Sequence, residues 1–178
     1  MTTSSPSTAR LASTVIDSPV GPLTIVASDR GLRAVLWPDD DRIATEPARD
    51  DPDHPVLAIA VEQLAEYFAG ERETFDVALD PLGTDFQRSA WEALRGIPYG
   101  TTVSYGEQAA RMGDRRKARA VGAANGRNPI SIIVPCHRVV GSNGSLTGFA
   151  GGVDTKAWLL AHERRVVSGA GTSGTPGM

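Results

Sequence analysis

Residues 104–140, SYGEQAARMGDRRKARAVGAANGRNPISIIVPCHRVV, contain the strongest structural signals in the chain. Ser104, followed three residues later by Glu107, forms a capping box that predicts the start of a short helix. A glycine then breaks the chain, and Asp114 is placed to cap a second helix over residues 115–125. Two short helices joined by a tight glycine turn predict a helix-turn-helix, a unit that also occurs as a plain packing motif.

The second predicted helix has a basic start. Arg115, Arg116 and Lys117 open it, and Arg119 follows. Cations are unfavourable at the positive end of the helix dipole, so an external anion explains them better than helix stability does. A merely solvated charged face is the alternative. The other side of this helix consists of small residues that allow close approach to another surface, namely Ala118, Ala120, Gly122, Ala123 and Ala124.

The single cysteine, Cys136, follows a proline at the end of an apolar run that predicts a buried strand. His137 and Arg138 come next, and nearby positive charge and an adjacent base both activate a thiol. Neighbouring side chains of an extended chain point to opposite faces, so His137 needs a turn or a bridging water to reach the sulfur. Glu163 is the best-placed carboxylate to orient it, because Asp154 is needed to cap the last helix. The pattern alone leaves an inert core cysteine equally open.

The first half of the chain predicts strands around one helix. Its short, β-branched runs are bounded by turns, which is typical of a meander. Apolar residues at helical spacing precede a glycine, which predicts one helix. The predicted elements are strands at 13–17, 22–28, 32–37 and 74–80, a loop over 38–55 and a helix over 54–69.

Charge divides the chain into two halves. Residues 1–85 carry 6 Arg, no Lys and 16 Asp or Glu, whereas residues 86–178 carry 12 Lys or Arg and 5 Asp or Glu. The difference is either chance or a sign that the basic half binds a polyanion, which the acidic half would repel. The expected organisation is a disordered tail at 1–12, an N-terminal α/β part at 13–80, a linker at 81–85, a mainly helical part at 86–167 and a disordered tail at 168–178.

Composition excludes several classes of protein. One cysteine in 178 residues rules out an intramolecular disulfide and a four-cysteine zinc site, and the 3 histidines show no ligand spacing. No apolar run approaches the ~20 residues that a membrane span needs. The first residues lack the basic start and apolar stretch of a signal peptide. We therefore expect a cytoplasmic protein without a metal site.

Several short motifs of the second half occur together in one known family. They are IPYG at 97–100, SYG at 104–106, RAVG at 119–122, NP at 128–129, PCHRV at 135–139, LTGFAGG at 146–152 and KAWLLAHE at 156–163. In this arrangement the chain resembles the O6-alkylguanine-DNA alkyltransferases, also called methylated-DNA–protein-cysteine methyltransferases. The resemblance is ungapped from about Phe86 to Glu163 and looser over the N-terminal strands.

The resemblance implies a fold and an activity. The fold is a ribonuclease-H-like α/β part with a small antiparallel sheet, followed by a mainly α, winged-helix-like DNA-binding domain. The activity is irreversible, stoichiometric transfer of the alkyl group from O6-alkylguanine, and less well from O4-alkylthymine, to Cys136, with flipping of the damaged nucleotide. No cofactor is needed. The implied partner is double-stranded DNA, bound by a monomer, with cooperative binding left open.

The resemblance also implies roles for residues at matching positions. Cys136 accepts the alkyl group, His137 deprotonates it through a water, and Glu163 orients the histidine. Asn128 braces the turn before the thiol, and Tyr105 contacts the flipped base and its phosphate.

Other matching residues are implied to contact DNA or to line the base pocket. Arg119 intercalates into the duplex, and the DNA contacts also include Tyr105, Arg115, Arg116, Lys117, Ala118 and Ser142. The pocket residues are Val139, Gly148, Phe149 and Ala150. Phe149 stands where the family usually has tyrosine, and Lys117 stands where a small residue is common.

Two other functions stay open. One is a helix-turn-helix DNA-binding regulator, or a lesion binder that transfers nothing. The other is a cysteine hydrolase that uses Cys136, His137 and Glu163.

Overall fold

The N-terminal half is a small sheet covered by one helix. The computed structural model describes residues 11–38, 40 and 48–173 of the chain, with side chains described to residue 169. The sheet has the strand order β3-β2-β1-β4, in which the first two pairings are antiparallel and the β1–β4 pairing is parallel. Its strands are β1 (Leu11–Ile16), β2 (Leu23–Ala27), β3 (Leu32–Leu36) and β4 (Ala48–Asp50).

Three N-terminal predictions are wrong in detail. Leu11 and Ala12 belong to β1 and are buried, so the predicted disordered tail over 1–12 is wrong for these two residues. The predicted loop over 38–55 contains β4, an exposed three-residue edge strand whose sequence ARD has no apolar alternation to reveal it. The predicted strand over 74–80 is reduced to one bridge between Leu79 and Leu32.

The predicted helix over 54–69 is confirmed as α1 (Pro55–Phe68). The His54 side chain caps it by accepting a hydrogen bond from the backbone N–H of Val56, and proline occupies the first turn, where no N–H is needed. The helix packs on the sheet and buries a stripe that includes Leu57, Leu64 and Tyr67.

The C-terminal half is mainly helical, and the predicted helix-turn-helix is confirmed. The Ser104–Glu107 capping box is present, and a turn at Gly113 joins the two helices. A two-stranded parallel sheet pairs β5 with β6 beside this unit. The elements are α2 (Asp85–Leu94), β5 (Val103–Ser104), α3 (Tyr105–Arg111), α4 (Ala118–Gly126), β6 (Val139–Val140) and α5 (Val153–Ser173).

The last helix, α5, runs to Ser173, so the predicted disordered tail is wrong over residues 168–173. Extending a helix that is already anchored orders few further dihedral angles for each hydrogen bond gained, so weak helix formers can continue it. Asp154 lies inside the first turn of α5 and is not its cap. Across the described residues, no helix is both long enough and apolar enough to cross a membrane.

Both halves contribute to one hydrophobic core. The N–H of Val35 on β3 donates to the carbonyl of Pro129 over 2.8 Å, which docks the segment before the cysteine on the sheet edge. The indole N–H of Trp37 donates to Ser131 Oγ over 3.2 Å in the same region. The core, which includes Trp91 on α2, therefore places the cysteine segment between the two halves.

Candidate active site

A tight buried turn, and not the predicted strand, leads to the cysteine. The N–H of Val134 donates to the carbonyl of Ile130 over 2.9 Å, and Ile132 adopts a φ of 75°. This left-handed conformation is strained for a β-branched residue, and such strain persists only where the surroundings impose it. The Ile132 side chain is fully buried, so the core holds the turn in this shape. Apolar composition alone could not distinguish this turn from a strand.

Asn128 closes this turn from inside. Its amide Nδ2 donates to the carbonyl of Val134 over 2.8 Å, and its Oδ1 accepts from the N–H of Ile130 over 3.0 Å. The side chain is 1% exposed, so water cannot replace either partner.

Replacing Asn128 by alanine is expected to lower the free energy of unfolding by about 2–4 kcal/mol, because two buried backbone groups lose their partner. Asn128→Asp keeps an acceptor for Ile130 but places a buried carboxylate against the carbonyl of Val134, so near neutral pH a loss at least as large as that of alanine is expected. Urea denaturation of the three proteins checks this order. Equal stability of the alanine variant and wild type would show that the turn does not depend on Asn128.

Cys136 opens a 3-10 turn, Cys136–Arg138, instead of continuing an extended chain. The turn directs His137 and Arg138 into the protein, where they are 0% and 5% exposed, while Cys136 is 7% exposed. The opposite-faces geometry expected for an extended chain therefore does not apply. The turn buries His137, but neither ring nitrogen bonds to the sulfur within the described residues, so the bridging water of the sequence analysis is still required.

Glu163, on α5, meets both residues of this turn. Its Oε2 lies 2.7 Å from Nε2 of His137, and Arg138 donates from Nε to Oε1 over 2.9 Å and from Nη2 to Oε2 over 3.0 Å. The backbone N–H of Gly100 donates to Oε1 over 3.0 Å. The Glu163 carboxylate is thus fully buried beside one arginine and one histidine.

Burial and charge define the protonation states of this cluster. Burial lowers the pKa of His137, outweighing the opposing hydrogen bond and charge of Glu163. Burial alone would raise the pKa of Glu163, but the hydrogen bonds from His137 and Arg138 and the Arg138 charge hold it well below its usual range. Arginine stays charged whereas a buried imidazole does not, so the ion pair is Glu163–Arg138 and His137 is neutral.

This state determines which nitrogen of His137 acts as a base. An ionised carboxylate only accepts hydrogen bonds, so Nε2 must carry the proton that faces Glu163. The lone pair of neutral His137 is then on Nδ1, which is buried and has no hydrogen-bond partner within the described residues. The imidazole therefore has one nitrogen ready to accept a proton.

Lys156 is a site residue that the sequence analysis missed. It is 1% exposed on α5, and its Nζ donates to the carbonyl of Thr147 over 2.9 Å and lies 5.8 Å from the Tyr105 ring centroid. Burial lowers the pKa of Lys156, and the negative charge that Cys136 carries when it is ionised opposes that shift. Its position seven residues before Glu163, on the same helix face, was the available signal.

The predicted DNA-binding cations differ in their contacts. Arg115, Arg116 and Lys117 form a 3-10 turn before α4, so they are not its first turn as predicted. Nε of Arg116 pairs with Asp114 over 3.1 Å, and Nζ of Lys117 lies 5.7 Å from the Phe86 ring centroid.

Arg119, on α4, is different. Its side chain is exposed, and no hydrogen bond or ion pair holds its guanidinium within the part of the chain that the structure describes. Gly122, one turn further, lies against the Tyr105 ring, which a Cβ added at this position would contact at 3.5 Å.

Comparisons with known proteins agree with this architecture. The ribonuclease-like domain model of 6-O-methylguanine DNA methyltransferase matches residues 11–81, and the DNA-binding domain model matches residues 85–165. The methylated-DNA--protein-cysteine methyltransferase of Mycolicibacterium paratuberculosis is 52% identical over 84% of this chain and 90% of its own length. The chain belongs to the 6-O-methylguanine DNA methyltransferase family. It therefore combines a ribonuclease-like N-terminal domain with a helical DNA-binding domain.

Two further family members extend the comparison. The methylated-DNA--protein-cysteine methyltransferase of Methanosarcina acetivorans is 47% identical over 84% of this chain and 96% of its own length. The crystal structure of Mycobacterium tuberculosis OGT in complex with DNA superposes with a TM-score of 0.79, at 47% identity, over 88% of this chain and 94% of that one.

In this 6-O-methylguanine DNA methyltransferase family member, the predicted pocket residues fall into two groups. Gly148 lies near the Tyr105 hydroxyl, which donates to the carbonyl of Thr147 over 3.3 Å, and Phe149 packs edge-on against Trp37 at 5.4 Å. Of the other two predicted pocket residues, Val139 is 0% exposed in β6 and Ala150 is exposed, while Ser142, predicted to contact DNA, is exposed as well. Across the described residues, no three His, Cys, Asp or Glu side chains cluster as metal ligands would.

Proposed function

We propose that this chain repairs DNA by removing the alkyl group from O6-alkylguanine, and less well from O4-alkylthymine, and transferring it to Cys136. The observation that carries this proposal is the 3-10 turn that places the only cysteine beside a buried, neutral His137 whose Nδ1 has no partner within the described residues. Family membership and the helix-turn-helix support DNA as the partner. Monomeric action on double-stranded DNA belongs to the same proposal.

The chemistry is a direct displacement at the alkyl carbon. His137 takes the thiol proton through one water onto Nδ1, while Glu163 keeps Nε2 protonated. The Cys136 thiolate forms a bond to the alkyl carbon, and the bond between that carbon and the guanine oxygen breaks. Lys156 adds a positive charge beside the thiolate. The product is a thioether, which has no easy route back to thiolate, so each protein molecule reacts once without a cofactor.

The leaving guanine needs hydrogen bonds because negative charge develops on it. Tyr105 is held near the 147–148 segment by its own hydrogen bond to Thr147, and Phe149 offers a ring for the base to pack against. A phenol hydroxyl has one proton, so Tyr105 donates to the base only after it releases Thr147, and the backbone N–H groups of the 148–151 loop are the other candidate donors.

DNA binding is assigned to the α3–α4 unit. The lesion carbon is inaccessible inside a stacked duplex, so the nucleotide must be flipped out. Arg119, which is exposed, is assigned to enter the gap, and the small residues of α4 would allow close approach to the groove. Arg115, Arg116 and Lys117 are assigned to phosphates, with Ala118 and Ser142 beside them.

The deciding experiment is intact-mass analysis after incubation with a duplex containing O6-methylguanine. We expect the protein to gain the mass of one methyl group, on the peptide that contains Cys136, and to stop reacting after one equivalent. A DNA-binding regulator or lesion binder would gain no mass. A cysteine hydrolase would turn over repeatedly.

Arg119→Ala is expected to slow repair of a duplex lesion by roughly 10–100-fold, since base flipping costs a few kcal/mol that an inserted side chain offsets. Reaction with free O6-benzylguanine, which needs no flipping, should change by less than about threefold under the same reasoning. Single-turnover rates with both substrates measure the difference.

Arg116→Ala is the matched control, because this exposed arginine is already paired with Asp114. It should reduce the salt dependence of DNA binding by a slope of at most about 1 and leave the rate at saturating DNA unchanged. If Arg119→Ala impaired both substrates equally, Arg119 would support the fold or pocket and not base flipping.

A further inference from the structure

The Glu163 carboxylate accepts a hydrogen bond from the N-terminal half of the chain. The Tyr67 hydroxyl, on α1, donates to Oε2 of Glu163 over 2.7 Å, although the two residues are 96 positions apart. Tyr67 is 0% exposed, and its ring packs edge-on against Phe68 and Tyr99 at 5.3 and 6.1 Å. Packing therefore holds the hydroxyl in place, and burial keeps it from bulk water.

Tyr67 and His137 share one oxygen of this carboxylate. Oε2 of Glu163 faces the Tyr67 hydroxyl, His137 Nε2 and Arg138 Nη2, while Oε1 accepts from Arg138 Nε and the N–H of Gly100. Two carboxylate oxygens offer about four lone-pair sites, so the donors on Oε2 compete. Every donor that stabilises the ionised carboxylate reduces its attraction for a further proton.

We propose that Tyr67 is a positioning residue for the alkyl transfer: its hydroxyl holds Glu163 against His137 and limits how strongly that carboxylate draws a proton onto the imidazole. This inference rests on the proposed function and adds the N-terminal domain to the machinery that prepares Cys136. The helix α1 thus does more than cover the sheet, because it delivers a donor to the orienting carboxylate.

The charged and titratable groups around His137 and Glu163 come from several elements. Arg138 and Cys136 lie on the 3-10 turn, Lys156 on α5, Tyr67 on α1 and Tyr99 in the segment before β5. The charge of Glu73 also acts on Tyr99. Tyr67 differs from these neighbours in being an uncharged donor to the shared oxygen.

Tyr99 provides a matched control. Burial, and then the charge of Glu163, raises its pKa to about 12, and the Arg138 guanidinium lies 5.4 Å from its ring centroid. Yet the Tyr99 hydroxyl, although buried, makes no hydrogen bond within the described residues. Tyr67→Phe and Tyr99→Phe therefore remove the same atom near the same carboxylate, and only the first removes a hydrogen bond.

The test is an NMR titration of the His137 imidazole in wild type and both variants. Without the Tyr67 donor, more negative charge on Oε2 remains to stabilise the imidazolium, so Tyr67→Phe should raise the pKa of His137 by at least about half a unit. Tyr99→Phe should leave it unchanged. The acidic midpoint of the single-turnover rate with O6-methylguanine DNA should move in the same direction in Tyr67→Phe alone.

A second variant gives the opposite sign. Placing 3-fluorotyrosine at position 67 makes the phenol more acidic and a stronger donor at nearly constant volume, so the pKa of His137 should fall. If Tyr67→Phe does not fold, the His137 pKa of the fluorotyrosine variant tests the inference instead. An unchanged His137 titration in the folded variants, or equal shifts in the two Tyr→Phe proteins, would overturn the inference. Absence of alkyl uptake by wild type would overturn the proposed function, while the titration would still decide whether Tyr67 controls His137.

Discussion

Cys136→Ser is expected to abolish alkyl transfer, lowering the single-turnover rate by at least about 10⁴-fold. A thiol is partly ionised near neutral pH and intrinsically nucleophilic, whereas a serine hydroxyl is neither. DNA affinity should remain close to wild type, because Cys136 is 7% exposed and α4 is untouched. Intact-mass analysis and quenched single-turnover rates on an O6-methylguanine duplex measure the loss, and fluorescence anisotropy at fixed salt measures affinity.

This substitution tests directly whether Cys136 is the nucleophile. Cys136 is the chain's only cysteine, so no other thiol can accept the alkyl group in the variant. Transfer that persisted at a tenth of the wild-type rate would rule out Cys136 as the acceptor. Cys136→Ala serves as the control for any residual activity of the serine hydroxyl and should behave identically.

Glu163→Gln should have the second large effect, on both stability and chemistry. It leaves the Arg138 charge buried without a counter-ion, which costs about 3–5 kcal/mol when one partner of a buried pair is removed. An amide can also donate towards His137, so the imidazole no longer has a defined tautomer. Loss of that orientation should slow transfer by roughly 10²-fold, the lower range for general-base catalysis. Urea denaturation and single-turnover rates measure the two effects.

The stability difference between wild type and Glu163→Gln should depend on pH. The pKa of Glu163 is lowered in the folded protein, so as pH falls below the ordinary carboxyl value of about 4.3 the unfolded state takes up a proton first. The stabilising contribution of the ionised carboxylate is thus complete above that pH and is lost as pH falls further. The two proteins should differ most near neutral pH and converge in acid.

Glu92→Gln is the matched control for this substitution. Glu92 pairs with Arg95 over 3.4 Å on the surface, where its side chain is 74% exposed. Exposed pairs contribute at most about 1 kcal/mol, so this variant should retain nearly full stability and activity. If both glutamine variants lost the same stability, the buried position of Glu163 would not be the cause.

Elements that depend on short-range interactions were predicted well. The Ser104–Glu107 capping box and the glycine turn specify α3 and the turn to α4, because each signal involves residues within one turn of helix. The helix over 54–69 followed from its apolar spacing. The contact between His137 and Glu163, 2.7 Å apart, is long-range and was also expected, but the reason for excluding Asp154 was wrong because Asp154 does not cap α5.

Elements that depend on distant partners were predicted poorly. The strand β4 is an exposed segment ordered by pairing with β1, and the run before Cys136 is bent by the core and by Asn128. Nothing in the local pattern shows either contact. The burial of Lys156 was also missed, since a lysine on a helix is ordinarily a surface residue.

The amino-acid sequence by itself determined the helix-turn-helix, the charge division between the halves and the chemical identity of the site, because these reside in neighbouring residues and in side-chain chemistry. Only the tertiary structure decided that the His137 side chain turns inward, which of its two nitrogens carries the proton, and that the Tyr67 hydroxyl donates to Glu163. Those features join residues 26 and 96 positions apart. Such contacts form only when a shared core fixes α1, α5 and the cysteine turn against one another, since packing and burial set both the distances and the protonation states.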